Sequence, residues 1–236
     1  MNNIFDEIKN KKGKEFSGPP QHFCYHYLAA TYKPSSKNIN AYNVYMHALT
    51  KLYNCELCRV NLTRNLQNLP INGFSQNSQS LLYWSYVLHD TINREISMNG
   101  HTTKISPPLD DVFKYYSNLL RSSDKGRKIY ERMQWISIHS LAVSYRPSPE
   151  NAQAFKDYIH SIITLNASLG SKLLKYIQTI PIDRYLDNNH NLFYWTYLIR
   201  HNILKDDGQV SPPYDDVKAF YFKSLNEDCK ECKIID

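Results

Sequence analysis

Two CxxC pairs are the residues in this sequence that are best suited to chemistry. Cys55 and Cys58 lie within the stretch YNCELCR, and Cys229 and Cys232 lie close to the C-terminus. A chain of 236 residues with five cysteines is not a small disulfide-stabilised scaffold, and such pairs are typical of metal or redox sites. The first pair could be a metal clip, a structural staple or a redox centre.

A CxxC motif at the start of a helix suits disulfide exchange. The free N–H groups and the positive end of the helix dipole favour the thiolate form. One thiol can exchange with an external partner, while the second, one helical turn further along, closes the internal disulfide. The two electrons collected in this way need an acceptor. Because the side chains of a small bundle cannot serve as one, the acceptor would be a bound cofactor.

Rings and amides at helical spacing are candidate contacts for a planar cofactor. His22 and His26 share one helix face, and His89 and Asn93 share another. From spacing alone, His26 could equally be a hydrogen-bonded core residue. Cys24 is expected to be a buried free thiol that behaves as a small apolar side chain.

A structural zinc site is the alternative to redox chemistry. Four thiolates, from Cys55, Cys58, Cys229 and Cys232, could hold zinc in a non-enzymatic all-α interaction protein. The two pairs are, however, 171 residues apart (229 − 58). A third possibility is an all-α scaffold in which the thiols are incidental.

Composition excludes several other classes of protein. No apolar run approaches the roughly 18 residues of a membrane span, and the first residues have no apolar segment typical of a secretory signal. The net charge of +6 includes a cluster of lysines near the N-terminus, and no basic stripe is interleaved with stacking aromatics. We therefore expect a cytoplasmic protein with no membrane span and no nucleic-acid partner.

The chain repeats itself. A shift of 113 residues (139 − 26) aligns HYLAATYKPSSKNINAYNVYMHALTKL with HSLAVSYRPSPENAQAFKDYIHSIITL, with 11 identities in the 33 pairs from His26 to Cys58. Further on, LLYWSYVLHDTIN aligns with LFYWTYLIRHNIL, and SPPLDDV with SPPYDDV. These alignments predict a tandem duplication with a linker at Ser122 to Arg127, where the sequence reads SSDKGR.

The shift of 113 residues also compares the first cysteine pair with the second copy. It aligns Cys55 with Ser168 and Cys58 with Ser171. A staple needed by the fold would be hard to lose, whereas a chemical pair can be dropped when one site suffices. This comparison weakens the structural-staple interpretation.

Apolar residues recur at spacings of three and four, so we predict an all-α fold of two tandem bundles of four or five helices. The first copy should contain helices near 21–32, 38–53, 55–67, 77–96 and 109–121. The predicted organisation is a disordered basic arm over 1–17, a catalytic domain over 18–121, a degenerate repeat over 128–225 and a CxxC tail over 226–236.

Three stretches together resemble a known family. They are GPPQHFCYHYLAATYKP from Gly18 to Pro34, CELC at 55–58, and WSYVLHDTIN from Trp84 to Asn93. Their order and spacing resemble the Erv/ALR family of FAD-dependent sulfhydryl oxidases, whose pattern is G-R-x-x-W-x-x-x-H, a tyrosine and proline, a CxxC, and H-N-x-V-N. The resemblance implies disulfide formation in protein substrates, with electrons passing from the dithiol to the cysteines, to FAD and to oxygen, giving hydrogen peroxide.

The resemblance also implies a role for each matching residue. Cys58 corresponds to the flavin-proximal cysteine that forms the adduct or charge-transfer contact, and Cys55 to the interchange cysteine that meets incoming dithiols. Cys229 and Cys232 would be a shuttle pair that passes oxidising equivalents to the substrate. The residues expected to bind FAD, from spacing or from the resemblance, are His22, His26, Tyr32, His89, Ile92, Asn93 and Lys104.

Departures from the family pattern occur in both copies. His22 stands where the family has tryptophan, Pro19 where it has arginine, and Asp90 replaces the first asparagine of the last motif. The second copy keeps Arg132, Trp135 and His139 but has Arg200 and Leu204 at the positions of His89 and Asn93, so it should bind no flavin.

The resemblance has implications for partners and location. Reduced protein dithiols and oxygen are the implied substrates. We expect the second copy to pack on the first as an internal pseudo-dimer, with a further homodimer possible. Similar tandem forms occur among the sulfhydryl oxidases of large DNA viruses, which would place the protein in a virion or virus factory.

Overall fold

The predicted all-α class is confirmed by the helices of this chain. A computed structural model describes residues 12–98 and 105–226, except for the side chains of residues 14, 15, 123 and 226, and all regular structure in these ranges is helical. The helices are α1 Gly13–Ala30, α2 Ser36–Leu52, α3 Glu56–Asn68, α4 Ser78–Met98, α5 Leu109–Arg121, α6 Ser123–Val143, α7 Pro149–Leu165, α8 Ala167–Thr179, α9 Asn189–Asp206 and α10 Tyr214–Asn226. None of the helices described is both long and apolar enough to cross a membrane.

The same order of elements occurs twice along the chain. A 3-10 helix, Ile71–Phe74 or Ile182–Tyr185, lies between the third and fourth helices of each half. α2 and α7 have 17 residues each, and α3 and α8 have 13 each. Ser35 and Ser148 cap α2 and α7 in the same way, each accepting a hydrogen bond from the backbone N–H three residues later. A tandem duplication predicts this order.

Two predicted boundaries are wrong. α1 begins at Gly13, inside the predicted disordered arm, because the fully buried Phe16 packs against Phe220 and Tyr221 of α10. Most of the predicted linker is also helical, since only Ser122 separates α5 from α6.

A glycine permits this abrupt connection between the halves. Near the start of α6, a Cβ atom at Gly126 would lie 2.5 Å from the carbonyl oxygen of Leu119 in α5. The helices can therefore approach closely only where a side chain is missing. The SSDKGR stretch thus marks a tight helix–helix junction rather than a flexible connection.

The predicted equivalence of the cysteines with Ser168 and Ser171 is also wrong. Three residues separate α2 from α3, but only Asn166 separates α7 from α8, so the two N-cap residues are 111 positions apart (166 − 55). Cys55 therefore corresponds to Asn166, and Cys58 corresponds to Leu169. A continuous alignment missed this shortening because it carried the shift of the preceding helix across the loop.

The two halves pack against each other through a shared apolar core. α2 lies along α7, and α1 contacts both α6 and α10. Tyr45 stacks on its own counterpart Tyr158 with ring centroids 4.9 Å apart, and Tyr27 stacks on Tyr130 at 4.5 Å. Contact between equivalent residues is what a two-fold axis between subunits produces. The halves are thus packed as partners, as expected for an internal pseudo-dimer.

A buried polar network within the second half holds the two tyrosines that stack on the first half. Gln134 accepts a hydrogen bond from the Tyr130 hydroxyl at 3.0 Å and donates one to the Tyr158 hydroxyl at 2.7 Å. Ser137 lies 2.8 Å from the same Tyr158 oxygen. Buried polar groups are tolerated when they are paired, and the two contacts to Tyr158 require a defined register of α6 on α7.

Candidate active site

A cavity of about 550 Å³ lies between α1, α3 and α4 and is closed on one side by the second half. The side chains that line it and were singled out from sequence are His22, His26, Cys55, Cys58, His89, Ile92 and Asn93. Three separate helices thus bring their candidate residues to one space. The volume is within the range of roughly 300–1,000 Å³ that is ordinary for sites of small molecules and cofactors.

The first cysteine pair forms a disulfide at the start of α3. Cys55 is the N-cap residue, and its Sγ accepts a hydrogen bond from the backbone N–H of Cys58 at 3.1 Å. Cys55 is partly exposed and Cys58 is exposed, so the disulfide can be reached from outside. After reduction, the same N–H and the positive end of the helix dipole would stabilise a thiolate on Cys55.

Arg59 holds the loop that leads into this disulfide. Its Nη1 donates hydrogen bonds to the backbone carbonyl oxygens of Tyr53, at 2.5 Å, and Asn54, at 3.3 Å. Both carbonyls belong to the short connection between α2 and α3. One side chain on α3 therefore fixes the segment immediately before Cys55.

Three histidines form a hydrogen-bonded chain on the cavity wall. His22 Nδ1 lies 2.7 Å from His89 Nε2, and His89 Nδ1 lies 3.1 Å from His26 Nε2. At the inner end, His26 Nδ1 lies 2.7 Å from the hydroxyl of Ser85. Since α1 carries two of the rings and α4 the third, the chain also ties these helices together.

The hydrogen bonds determine which ring nitrogens carry protons. The Ser85 hydroxyl donates to the carbonyl oxygen of Leu82 at 2.8 Å, so His26 Nδ1 must be the donor toward Ser85. Burial, reinforced by the neighbouring His89, lowers the pKa of His26 well below its usual value, and the ring is neutral at pH 7. His26 Nε2 therefore accepts from His89 Nδ1–H, and the contact between His89 Nε2 and His22 Nδ1 completes the chain.

The remaining predicted wall residues lie further along α4. Asn93 is buried and donates from Nδ2 to the Ser106 hydroxyl at 3.0 Å, which fixes the amide at the cavity edge. Ile92 adds apolar surface beside it. The site therefore combines rings, one oriented amide and an aliphatic wall around the disulfide.

The second half supplies part of the same cavity. Ser140 and Leu141 of α6 line it, together with the C-cap residue Ser144 and with Leu225 near the end of α10. The Ser140 hydroxyl is buried and has no hydrogen-bond partner among the described residues. A buried hydroxyl without a partner is uncommon in proteins, so this one is available to a bound molecule.

Other predicted site residues lie elsewhere. Tyr32 does not line the cavity, because its hydroxyl donates to the carbonyl oxygen of Ser75 at 3.2 Å. In this structure the Tyr32 hydroxyl is engaged in the fold, and its role toward a cofactor stays a prediction. Lys104, Cys229 and Cys232 lie outside the described residues. Cys24 is a buried free cysteine, as predicted.

Sequence reasoning missed several residues of the cavity. They include Asn54, Asn61, Leu62, Tyr116 and the four residues from the second half. The helical period could have placed Asn61 and Leu62 on α3 close to Cys58. No pattern in the sequence indicates that α6 and α10 reach into the first half.

The second half contains a corresponding but different site. His139 Nδ1 lies 2.8 Å from the Thr196 hydroxyl, which donates to the carbonyl of Phe193, as in the His26 and Ser85 arrangement. Arg200 stands at the position of His89, and Trp135 at that of His22. The imidazole chain is therefore replaced by a cation and an indole.

The zinc alternative gains no support from this arrangement. Cys55 and Cys58 are bonded to each other, and within residues 12–98 and 105–226 no group of three or more His, Cys, Asp or Glu side chains could hold a metal ion. The other two cysteines of the proposed zinc set lie outside the described residues.

The fold and site define a helical-bundle protein whose accessible disulfide shares a cavity with a chain of histidines. Residues 23–108 match the model of the Erv1 / Alr family. This range contains the disulfide and two of the three chain histidines, His26 and His89. This part of the chain is therefore similar to the Erv/ALR family, whose members are FAD-linked sulfhydryl oxidases. Neither a curated protein nor a solved structure matches the chain.

Proposed function

We propose that this protein is an FAD-dependent sulfhydryl oxidase that forms disulfides in protein substrates, with oxygen as the final acceptor. The observation that carries the proposal is the position of the Cys55–Cys58 disulfide, at a helix N-terminus and on the wall of the cavity lined by His22, His26 and His89. The family match to residues 23–108 supports the same activity.

The residues of the cavity fit an FAD molecule. His22, His26 and Tyr116 offer aromatic surface for a planar ring system, and the amide of Asn93 offers hydrogen bonds. The unpartnered hydroxyl of Ser140 provides a further hydrogen-bond group from the opposite wall. When bound, FAD supplies a two-electron acceptor that oxygen can reoxidise with formation of hydrogen peroxide.

The disulfide performs the first half of the reaction by exchange. A substrate thiolate attacks Cys55 Sγ, the Cys55–Cys58 bond breaks, and Cys58 leaves as a thiolate. The second substrate thiolate then attacks the mixed disulfide and releases Cys55. The substrate loses two electrons and two protons and gains one disulfide, while the two cysteines of the enzyme are left reduced.

The histidine chain orients the cavity wall and holds its protons in a defined order. Each ring is fixed by a neighbour, from Ser85 through His26 and His89 to His22. Fixed rings lose little entropy when a molecule binds against them, which favours binding. The neutral state of His26 keeps uncompensated charge out of the buried end of the cavity.

The decisive experiment measures bound flavin and thiol oxidation on the same preparation. We expect one FAD per chain, released on denaturation, and oxygen consumption when a reduced dithiol is added. The Cys55→Asn variant should keep the flavin and lose the oxygen consumption. Protein that binds no flavin after expression with excess riboflavin would rule the proposal out.

We further propose that Cys229 and Cys232 act as a shuttle between the substrate and Cys55. Leu225 lines the same cavity as the disulfide, so the described chain ends beside the site instead of on the far side of the second half. Cys229 follows only four residues later (229 − 225), a span of at most about 14 Å of extended chain. A tether this short gives a high effective concentration.

A variant with both Cys229→Ser and Cys232→Ser tests the shuttle. We expect unchanged oxidation of a small dithiol, which reaches Cys55 directly, and roughly tenfold slower oxidation of a reduced protein. Equal rates for variant and wild type on both substrates would remove the shuttle from the mechanism.

The internal contact already occupies faces of α1 and α2, so a homodimer would have to use another surface.

A further inference from the structure

A second cavity, of about 570 Å³, lies between the two halves on the outer side of the disulfide loop. The end of α2 and one face of α3 form one wall, and the segment from Ser144 to Arg146 forms the other, together with Asn151. The cavity opens to solvent, since Lys51 and Arg146 are exposed. We refer to it as the interhalf groove.

The interhalf groove is strongly basic. Its charged lining residues are Lys51, Arg59, Arg64 and Arg146, and no aspartate or glutamate in the part of the chain that the structure describes lines it. Arg64 is paired with Glu95 at 2.7 Å, outside the groove. Among the described residues, Lys51, Arg59 and Arg146 make no ion pair.

Two of these cations come from different halves and face each other. Burial lowers the pKa of Arg59, the nearby Arg146 lowers it further by repulsion between the two guanidinium groups, and Glu56 opposes the shift to a smaller extent. Arg59 is held by the carbonyls of Tyr53 and Asn54, whereas the Arg146 guanidinium makes no hydrogen bond to any residue that the structure describes. An anion between the two would relieve the repulsion and find hydrogen-bond donors on both sides.

The groove leads to the disulfide. Tyr53 and Ser144 line both this groove and the cavity that contains the disulfide, and Arg59 directly follows Cys58. Beside it, Leu57 and Val60 on α3 are 48% and 56% exposed, which is unusual for two apolar residues one turn apart. A segment seated in the groove would therefore meet cations and an apolar patch within a few residues of Cys55.

We propose that the interhalf groove docks an acidic segment of the protein substrate, next to the cysteine that is to be oxidised. This inference rests on the proposed function and adds to it the chemical class of the substrate segment. Carboxylates suit Arg59 and Arg146 because guanidinium groups bind them through two parallel hydrogen bonds. The site requires both halves, which gives the second half a role in substrate selection.

The test compares two synthetic peptides that differ only in charge. One carries aspartate and glutamate around a Cys-x-x-Cys, and the other carries asparagine and glutamine at the same places. With serines in place of the peptide cysteines, binding is measured by fluorescence anisotropy, independently of any turnover. We expect the acidic peptide to bind at least about tenfold more tightly at low salt, and the difference to shrink as salt is raised.

Arg146→Glu should abolish the preference, because it reverses a charge that makes no ion pair with any described residue. Arg184→Glu is the matched control, since Arg184 is an exposed arginine of the second half outside the groove. Both variants should oxidise dithiothreitol at the wild-type rate. Equal binding of the two peptides to the wild type, or an unchanged preference in Arg146→Glu, would overturn the inference.

Two further arms separate this inference from its alternatives. A third variant changes Glu227, Asp228 and Glu231 to glutamine. If the acidic peptide binds this variant but not the wild type, then the chain's own tail occupies the groove and the substrate role is wrong. If peptide binding behaves as expected but dithiothreitol is not oxidised, then the docking site stands and the oxidase activity fails.

Discussion

The two halves of this molecule share several structural hydrogen bonds and differ at five of the seven cavity residues singled out from sequence, since only His26 and Ile92 keep the same residue type, in His139 and Ile203. Tyr32 and Tyr145 both donate to a backbone carbonyl shortly before the fourth helix of their half. Trp84 and Trp195 both donate from the indole to the carbonyl that follows the third helix. These hydrogen bonds, present in both halves, serve the fold, and they account for the position of the Tyr32 hydroxyl.

The differences between the halves lie around the first-half cavity and its counterpart. At the positions of Cys55 and Cys58 the second half has Asn166, which caps α8 through its side chain, and the fully buried Leu169. The capping bond thus survives without sulfur. Because the second half keeps its bundle without the cysteines, such a bundle does not depend on the disulfide, which supports the chemical role that we propose for it.

Replacing the disulfide by the cap of the second half should have the largest effect. We expect Cys55→Asn to lower thiol oxidation at least about a thousandfold, because the exchanging sulfur is gone. The free energy of unfolding should fall by no more than about 2 kcal/mol, the entropic contribution of so short a disulfide loop. Oxygen consumption and urea unfolding measure the two quantities.

The matched change in the other half is Asn166→Ala, which removes the equivalent cap. It should cost about 1 kcal/mol of stability and leave the oxidase rate unchanged. A large loss of stability in Cys55→Asn together with retained activity would reverse our conclusion about the disulfide.

Exchanging the residues at the next differing position should affect the cofactor. His89→Arg places the residue of the second half in the first, breaks the hydrogen bonds to His22 and His26, and adds a charge to the cavity wall. We expect FAD affinity to fall at least about tenfold, from the loss of two hydrogen bonds of about 1 kcal/mol each. Flavin released per chain, after dialysis at several protein concentrations, measures the change.

The reverse variant, Arg200→His, should bind no additional flavin, since the other site residues of the second half still differ. A flavin content rising from one to two equivalents per chain would show that the second half needs only this one residue.

Changes at the interface between the halves should lower the free energy of unfolding and leave the reaction at the disulfide unaffected. Tyr158→Ala removes the stacking on Tyr45 and a hydrogen-bond partner of Gln134, and we expect a loss of about 3–5 kcal/mol. Tyr158→Phe keeps the ring and should cost about 1–3 kcal/mol, because the Gln134 Nε2–H group loses its acceptor. Both variants should unfold in a single transition by circular dichroism; two separate transitions would mean that the halves fold independently.

The smallest expected effect is the pH dependence of stability from the buried histidines. Burial, together with the nearby Arg200, lowers the pKa of His139 well below its usual value, so the ring stays neutral when folded. Below about pH 6.5 the unfolded chain takes up a proton that the folded chain refuses. This contribution is complete above that pH and is lost progressively as the pH falls toward the folded pKa.

We therefore expect the midpoint temperature of the wild type to fall between about pH 7.5 and 5.5 by more than that of His139→Phe. His26 contributes in the same direction, since its pKa is also lowered. An equal fall in both proteins would show that His139 is not held neutral.

Local sequence patterns were sufficient to predict the α-helices and those pairs of site residues that lie on a single helix. Apolar spacing predicted every helix of the first half, although the start of α1 was placed too late because its first turns are buried only by α10. Spacing of four residues also placed His22 beside His26, and His89 beside Asn93, because one helix fixes both members of each pair.

Only the tertiary structure decided how these helices meet. Hydrogen bonds between His22, His89 and His26, the contribution of Ser140 to the cavity and the position of Leu225 all join residues far apart in the chain. The correct counterpart of Cys55 was likewise hidden, since a loop shortened by two residues changes the alignment but not the fold. Periodicity reports which face of a helix is buried, whereas the partner on that face is set by packing between distant segments.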